Sequence, residues 1–419
     1  MPGKNAFYAQ SGGPTAVINA SACGVLQTAR QHSDEINKVY AGRDGIIGAL
    51  TEDLIDTSLE TDAAIAALKY TPGAAFGSCR YKLESIYEHR AQYERLVEVF
   101  QAHDIGFFFY NGGGDSQDTA YKVSQIGAML DYPIVCIGIP KTIDNDLPIT
   151  DCSPGFGSAA KYLATCIREA TFDLSSVSRT STKVFVLEVM GRHAGWLTAA
   201  CALAARQEDS AAQVLLLPEI AFDERCFLAK VEQCMERYGY SIIAVSEGIK
   251  GPEGDFLSAG VKDAFGHAQL GGVAPIITNL IGEKLGHKCH WAVADYLQRS
   301  ARHIASETDV EQAYAVGHAA VDFAIAGKNA VMPAIRRLSD SPYRWDIIEA
   351  PLSAVANQEK LLPAGFISAD GFGITAAARR YLAPLIVGEA DPPFKDGLPD
   401  YVKLQNAATP KKLAKEFAV

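Results

Sequence analysis

Two doubly wound, Rossmann-like α/β units with mainly parallel sheets are predicted by three features of the 419-residue sequence. Short apolar runs of strand length alternate with helix-length segments from Ala6 onward, the order in which crossover helices build parallel sheets. Several of these runs, Ile134 to Ile139 among them, are apolar throughout, as strands covered on both faces are. Glycine-rich or charged loops follow strand after strand, and open parallel sheets bind ligands beyond the carboxyl ends of their strands.

Ala6 to Ala9 reads as the first strand. It ends in Ser11-Gly12-Gly13-Pro14-Thr15 and is followed by a helical run to Arg30. A glycine turn entering a helix presents free N–H groups to an anion, although the same residues also serve a plain tight turn. Neither the P-loop pattern nor the dinucleotide fingerprint is matched. A second strand at Val39 to Gly42 leads into a turn through Asp44 to Gly48. Gly77-Ser78-Cys79-Arg80-Tyr81-Lys82 then sets two cations beside a Gly-Ser turn, suited to a phosphate or simply solvated. A helix over about 83–101 precedes a strand at Ile105 to Tyr110.

That strand runs into Asn111-Gly112-Gly113-Gly114-Asp115-Ser116, where consecutive glycines disfavour helix and strand alike and let the backbone turn or a ligand approach. Asp115 either holds a metal ion or caps the helix that begins near Ser116. The strand at Ile134 to Ile139 releases Pro140-Lys141-Thr142-Ile143-Asp144-Asn145-Asp146-Leu147. A cation, a hydroxyl and two carboxylates are a dense set for a connector, though Asx-rich turns also satisfy their own backbone.

Beyond residue 155 the alternation repeats. A capped helix spans Ser158 to Phe172, and strands follow at Val184 to Met190, Val214 to Glu219 and Ser241 to Gly248. A further helix is predicted over about 309–326, and the tail past Ile374 mixes proline-rich and lysine-rich pieces.

Hydrophobic residues make up 48% and charged residues 21% of the chain, which is long enough for two cores because single cores stop growing near roughly 250–300 residues. The net charge of −11 argues against nucleic-acid and membrane-surface binding, which need a basic footprint. Any anionic substrate is therefore held by locally placed cations. The nine cysteines show no paired C-x-x-C spacing and read as reduced thiols. No run approaches the roughly 20 apolar residues of a spanning helix, and the start lacks a signal-peptide apolar core. A soluble, cytoplasmic protein without membrane or nucleic-acid partners is expected. His287, Cys289 and His290 lack a second ligand pair at zinc spacing and are not read as a metal site.

Ser11-Gly12-Gly13, Gly77-Ser78-Cys79-Arg80, Gly112-Gly113-Gly114-Asp115-Ser116, Lys141-Thr142-Ile143-Asp144-Asn145-Asp146, Met190-Gly191-Arg192, Ser246-Glu247-Gly248 and Tyr296-Leu297-Gln298-Arg299 occur in one order. In that order the chain resembles the phosphofructokinase family. The resemblance implies two α/β domains with the active site in the cleft between them. The donor-binding domain takes 1–155 plus about 299–375, the sugar-phosphate domain about 156–298, and a C-terminal extension about 376–419.

Two positions resemble the branch of that family that uses inorganic diphosphate. The ATP branch has glycine where Asp115 stands and glycine where Lys141 stands. A carboxylate at Asp115 would repel an ATP α-phosphate about 4 Å away by about 4 kcal/mol at an effective dielectric near 20, roughly a thousandfold bias. Lys141 adds a cation beside the transferred phosphoryl group. The implied activity is reversible transfer from diphosphate to the 1-hydroxyl of fructose 6-phosphate with Mg²⁺, in glycolysis and gluconeogenesis.

Residue by residue, the resemblance makes Asp144 the general base, with Lys141 and Asp115 completing the catalytic set and Asp115 the metal ligand. Thr142, Ile143, Asp144, Met190, Gly191, Arg192, Glu247, Tyr296, Leu297, Gln298 and Arg299 would bind the sugar phosphate, and Gly12, Gly13 and Arg80 the diphosphate. A sugar site completed by a neighbouring chain implies a homodimer or homotetramer.

Departures from the family pattern bear on this assignment. Gly114 stands where the family has an aspartate metal ligand, leaving Asp115 with Asp118 or Asp146 as helpers. Lys183 and His290 replace expected arginines, and Lys288 is the nearest substitute cation for the second. The alternatives are an ATP-dependent enzyme, a diphosphate enzyme preferring sedoheptulose 7-phosphate, and a catalytically silent regulatory subunit.

Overall fold

The computed structural model describes residues 3–206, 213–262 and 268–418. Before residue 156 the strands are β1 (Lys4–Ser11), β2 (Ile36–Gly42), β3 (Leu54–Asp56), β4 (Ser78–Cys79), β5 (Ile105–Gly112) and β6 (Val135–Pro140). Then come β7 (Val184–Val189), β8 (Val214–Leu216), β9 (Ser241–Ser246), the short pair β10 (Ala259–Lys262) and β11 (Ala268–Leu270), and β12 (Cys289–Val293). A long hairpin, β13 (Val331–Asp340) and β14 (Tyr343–Pro351), follows.

The chain divides into two compact units. One comprises Met1–Gly155, Glu307–Glu359 and Gly388–Val419, the other Phe156–Ser306 and Lys360–Val387. In the first, the sheet order is β14-β13-β6-β5-β1-β2-β3, with β4 also paired to β1. The pairs from β2 through β1, β5 and β6 to β13 are parallel, and only the outer pairs β2–β3 and β13–β14 run antiparallel. The apolar runs explain this arrangement: every residue of β1 after Lys4 is buried, and Phe7 stacks on Phe108 of β5 at 5.5 Å between ring centroids. In the second unit β12-β7-β9-β8 are all parallel, around Val186, Ile243, Val245 and Phe227. The predicted α/β class with mainly parallel sheets is borne out.

Local differences have identifiable causes. The helix predicted over about 83–101 forms only at Arg90–Ala102. The Leu83 carbonyl accepts from Lys122 Nζ at 2.9 Å and the Glu84 carbonyl from the Tyr93 hydroxyl at 2.6 Å, so side chains satisfy these groups. Ile46–Leu50, read as part of a turn, is a short helix.

The C-terminal third is partitioned differently from the sequence reading. Residues 360–387 belong with the second unit because Trp196 gathers them: its Nε1 donates to the Lys360 carbonyl at 3.0 Å, and Phe366 and Tyr381 pack on its ring. Residues 299–306 join the same unit, where Ser306 N donates to Ser158 Oγ at 3.2 Å. Residues 388–419 belong with the first unit and are no separate extension. Asp56 N donates to the Ala407 carbonyl at 2.9 Å and Thr409 N to the Leu54 carbonyl at 2.7 Å.

Candidate active site

In the first unit, hydrogen bonds gather loops that are far apart in sequence. β1 ends at Gly12, whose φ of +76° is a left-handed conformation open to glycine. Its N–H donates to the Cys79 carbonyl at 2.9 Å, and Ser78 Oγ donates to its carbonyl at 2.6 Å. Ser116 Oγ donates to Ser11 Oγ at 2.9 Å, tying the loop after β5 to the end of β1. Lys141 joins both: its Nζ donates to the Gly13 carbonyl at 2.8 Å and its backbone N–H to the Gly112 carbonyl at 3.1 Å. Gly12, Gly13, Asp115 and Lys141 thus lie on loops tied to one another. Arg80, directly after β4, is exposed.

Asp115 sits in the first turn of helix Gly114–Ser124 and does not cap it, because the N-cap residue is Gly113. Its carboxylate pairs with Lys82 Nζ at 3.1 Å, both side chains remaining more than one-third exposed. That neighbour lowers the repulsion expected from a lone carboxylate, so the thousandfold bias is an upper figure. Gly114 faces open space. Asp118, one of the expected helpers, is buried and committed to Lys122 at 2.7 Å and to Asn357 Nδ2 at 2.9 Å. Among the described residues no cluster of three or more His, Cys, Asp or Glu side chains could hold a metal ion, which includes His287, Cys289 and His290. Mg²⁺ needs no such cage, since it keeps waters and is bound through one or two carboxylates plus substrate phosphates. Asp115, partly exposed at a helix start, fits that requirement, and Asp118 does not.

The Lys141–Asp146 loop is braced at both ends. Thr142 N donates to the Pro154 carbonyl at 3.2 Å, and Asn145, at φ +53°, accepts from Ser153 N at 2.9 Å. Within it Asp144 N donates to Thr142 Oγ1 at 3.1 Å, placing the half-buried Asp144 carboxyl beside that hydroxyl. Ile143 is buried. Hairpin β13–β14, which the sequence reading did not foresee, clamps the loop's far end. Arg337 and the Tyr343 hydroxyl donate to Asp151 at 3.0 and 3.2 Å, and Asp151 N donates to the Ile335 carbonyl at 2.7 Å.

In the second unit, Met190, Gly191, Glu247 and Gln298 are joined directly. Met190 N donates to Gln298 Oε1 at 3.2 Å and Gly191 N to Glu247 Oε1 at 3.4 Å. A Cβ on Gly248 would lie 2.0 Å from the Arg192 carbonyl, so the Met190–Arg192 and Ser246–Gly248 turns approach at backbone distance. Arg299 stacks on Tyr296 with its guanidinium carbon 3.7 Å from the ring centroid, while Tyr296 and Leu297 are exposed. Lys183 Nζ donates to the Ser178 carbonyl at 2.7 Å, and His290 is exposed on β12.

The sequence reading missed Glu188, fully buried in β7 two residues before Met190. It accepts from Gly272 N at 2.9 Å and Ala274 N at 2.8 Å, anchoring the start of helix Val273–Leu285. The signal was a lone acid inside an apolar strand run.

Burial pushes Glu247 above the ordinary glutamate range, outweighing the Gly191 N–H and the nearby Arg192, which act in the opposite direction. With its value raised in the fold, its stability contribution is complete below the unfolded-state value and is lost as pH rises through the raised value. Glu247→Gln should therefore melt above wild type at about pH 8 and lose that advantage toward about pH 4. Thermal denaturation at the two pH values checks this, and an equal difference at both would contradict it.

Mainly parallel sheets with glycine-rich and charged turns beyond their strand ends, in each of two units, define an α/β protein. The chain belongs to the phosphofructokinase family: the family model described as "Phosphofructokinase" matches residues 5–324. It is 65% identical over its full length to the whole pyrophosphate–fructose 6-phosphate 1-phosphotransferase of Methylococcus capsulatus. The protein of the same name from Halomonas elongata is 62% identical, with 99% of each chain covered. The crystal structure of the pyrophosphate-dependent phosphofructokinase from Nitrosospira multiformis superposes with a TM-score of 0.93 at 62% identity, over 99% of this chain and 100% of that one.

Proposed function

We propose that this protein reversibly transfers a phosphoryl group from inorganic diphosphate to the 1-hydroxyl of fructose 6-phosphate, yielding fructose 1,6-bisphosphate and phosphate. The observation that carries the reading is Lys141, whose side chain and backbone link the Gly12–Gly13 turn to the Gly112–Asp115 loop. The names of the relatives that match end to end agree with it.

In this reading Gly12, Gly13 and Arg80 bind diphosphate through backbone and guanidinium donors. Lys141 offsets charge that builds on the transferred group. Asp144 takes the proton from the attacking hydroxyl, and Thr142 orients its carboxyl. Gly191, Arg192, Glu247 and Gln298 set the sugar, and Arg299, held flat by Tyr296, receives its 6-phosphate. Asp115, with Asp146 nearby in sequence to Asp144, would hold Mg²⁺. When bound, the ion neutralises phosphate oxygens.

The reaction belongs to glycolysis and gluconeogenesis, and the assignment includes a cytoplasmic homodimer or homotetramer. Among the described residues no helix is long and apolar enough to cross a membrane.

Initial rates of the purified protein with diphosphate and with ATP, each with fructose 6-phosphate and Mg²⁺, test the proposal. Turnover at least about tenfold higher kcat/KM with diphosphate is expected, because the Asp115 carboxylate disfavours an ATP α-phosphate. Faster turnover with ATP rejects it. Chelating Mg²⁺ should abolish the rate and re-addition should restore it.

A further inference from the structure

Residues 388–418 lie outside the segment matched by the family model. Within them, Ala408 bridges Ile55 of β3, the edge strand of the first sheet, in antiparallel fashion. Lys412 N and Leu413 N donate to Glu52, a buried carboxylate that also contacts His103 Nε2 at 2.7 Å. Ahead of that anchor stands Asn406, at φ +50°. Its N–H donates to Glu60 Oε1 at 2.8 Å, its carbonyl accepts from Arg43 at 3.2 Å, and its Nδ2 donates to the Ala75 carbonyl at 2.9 Å.

Ala75 opens the path to Arg80, and its neighbours are held from the opposite side by buried amides. Ala75 N donates to Asn19 Oδ1 at 3.0 Å and Phe76 N to Gln10 Oε1 at 3.3 Å, while Gln10 and Asn19 bond each other at 2.9 Å. Both side chains are fully buried. Ser78 and Cys79 then pair with Gln10 and Ser11, and the Cys79 carbonyl accepts the Gly12 N–H. Ala75 thus stands three residues before the Ser78–Cys79 pair that meets Gln10, Ser11 and Gly12.

We propose that Asn406 is a positioning residue for the diphosphate loop. The C-terminal segment, through one side-chain amide, sets the backbone from which Arg80 and the Gly12 turn are aimed. The inference rests on the reading of Gly12, Gly13 and Arg80 as diphosphate ligands.

Two full-length variants test it. Asn406→Gly deletes the amide and tolerates the positive φ without strain. Asn406→Asp keeps the shape and the left-handed tolerance but turns a donor into an acceptor opposite a carbonyl. KM for diphosphate should rise about two- to tenfold in Asn406→Gly and further in Asn406→Asp, with kcat and KM for fructose 6-phosphate within about twofold of wild type. A fall in apparent kcat with both KM values unchanged, the mark of a smaller folded fraction, would overturn the proposal, as would unchanged diphosphate KM in both variants or an equal rise in KM for both substrates. A wild type inactive with diphosphate would instead sink the donor assignment and this inference with it.

Discussion

Asp144→Ala lowers kcat by on the order of 10² to 10⁴ with a modest change in KM. The attacking hydroxyl must lose its proton as its oxygen reaches phosphorus, and a water replacing Asp144 accepts that proton from no defined direction. The loop around it survives the change. Thr142 is held by the Pro154 carbonyl, Asn145 by Ser153, and the bond from Asp144 N to Thr142 Oγ1 uses only the backbone of residue 144. The lost rate therefore reports chemistry, provided the variant's melting temperature stays near that of wild type. Activity within about tenfold of wild type would remove Asp144 from the base role.

Lys141→Met carries the second large effect, a fall in kcat of about 10² to 10³ in the diphosphate reaction. Methionine keeps the length of the buried side chain and removes its ammonium, leaving the Gly13 carbonyl without that 2.8 Å donor. Two roles for Lys141 separate in the kinetics. If the amine only braces the Gly13 turn, KM for diphosphate rises while kcat holds. If it also stabilises charge on the transferred group, kcat falls, because that charge is greatest in the transition state. Steady-state kinetics in both directions decide between them, and unchanged kcat in both refutes the catalytic role.

Much of the site was legible as local pattern. Lys141 to Asp146 stood out because a fully apolar strand ends in a cation, a hydroxyl and two carboxylates, and Gly112 to Asp115 because three glycines precede an acid. What escaped was whatever depends on a distant partner. Lys82 read equally as a phosphate contact or a solvated cation, and only the fold set it 3.1 Å from Asp115. Asp118 looked available to a metal until Asn357 and Lys122 closed on it. Gln10 and Asn19 were polar residues within apolar runs, and their bond to each other and to residues 71–76 exists only in the folded chain.

By itself the sequence determined the α/β class, the strand-then-loop position of each motif and the family to which the motifs belong. The first two follow from periodicity and residue type within about ten neighbours, where a strand's burial and a turn's chemistry are local; the family follows from the resemblance carried by motifs in order from Ser11 to Arg299. The tertiary structure alone decided the route of residues 360–418: 360–387 gather on Trp196, and 388–418 join the first unit, pairing with its sheet edge at Ala407 to Thr409. Proline-rich and lysine-rich segments carry little apolar periodicity of their own. Their place is set by the backbone donors and acceptors that a finished sheet edge leaves for them to satisfy.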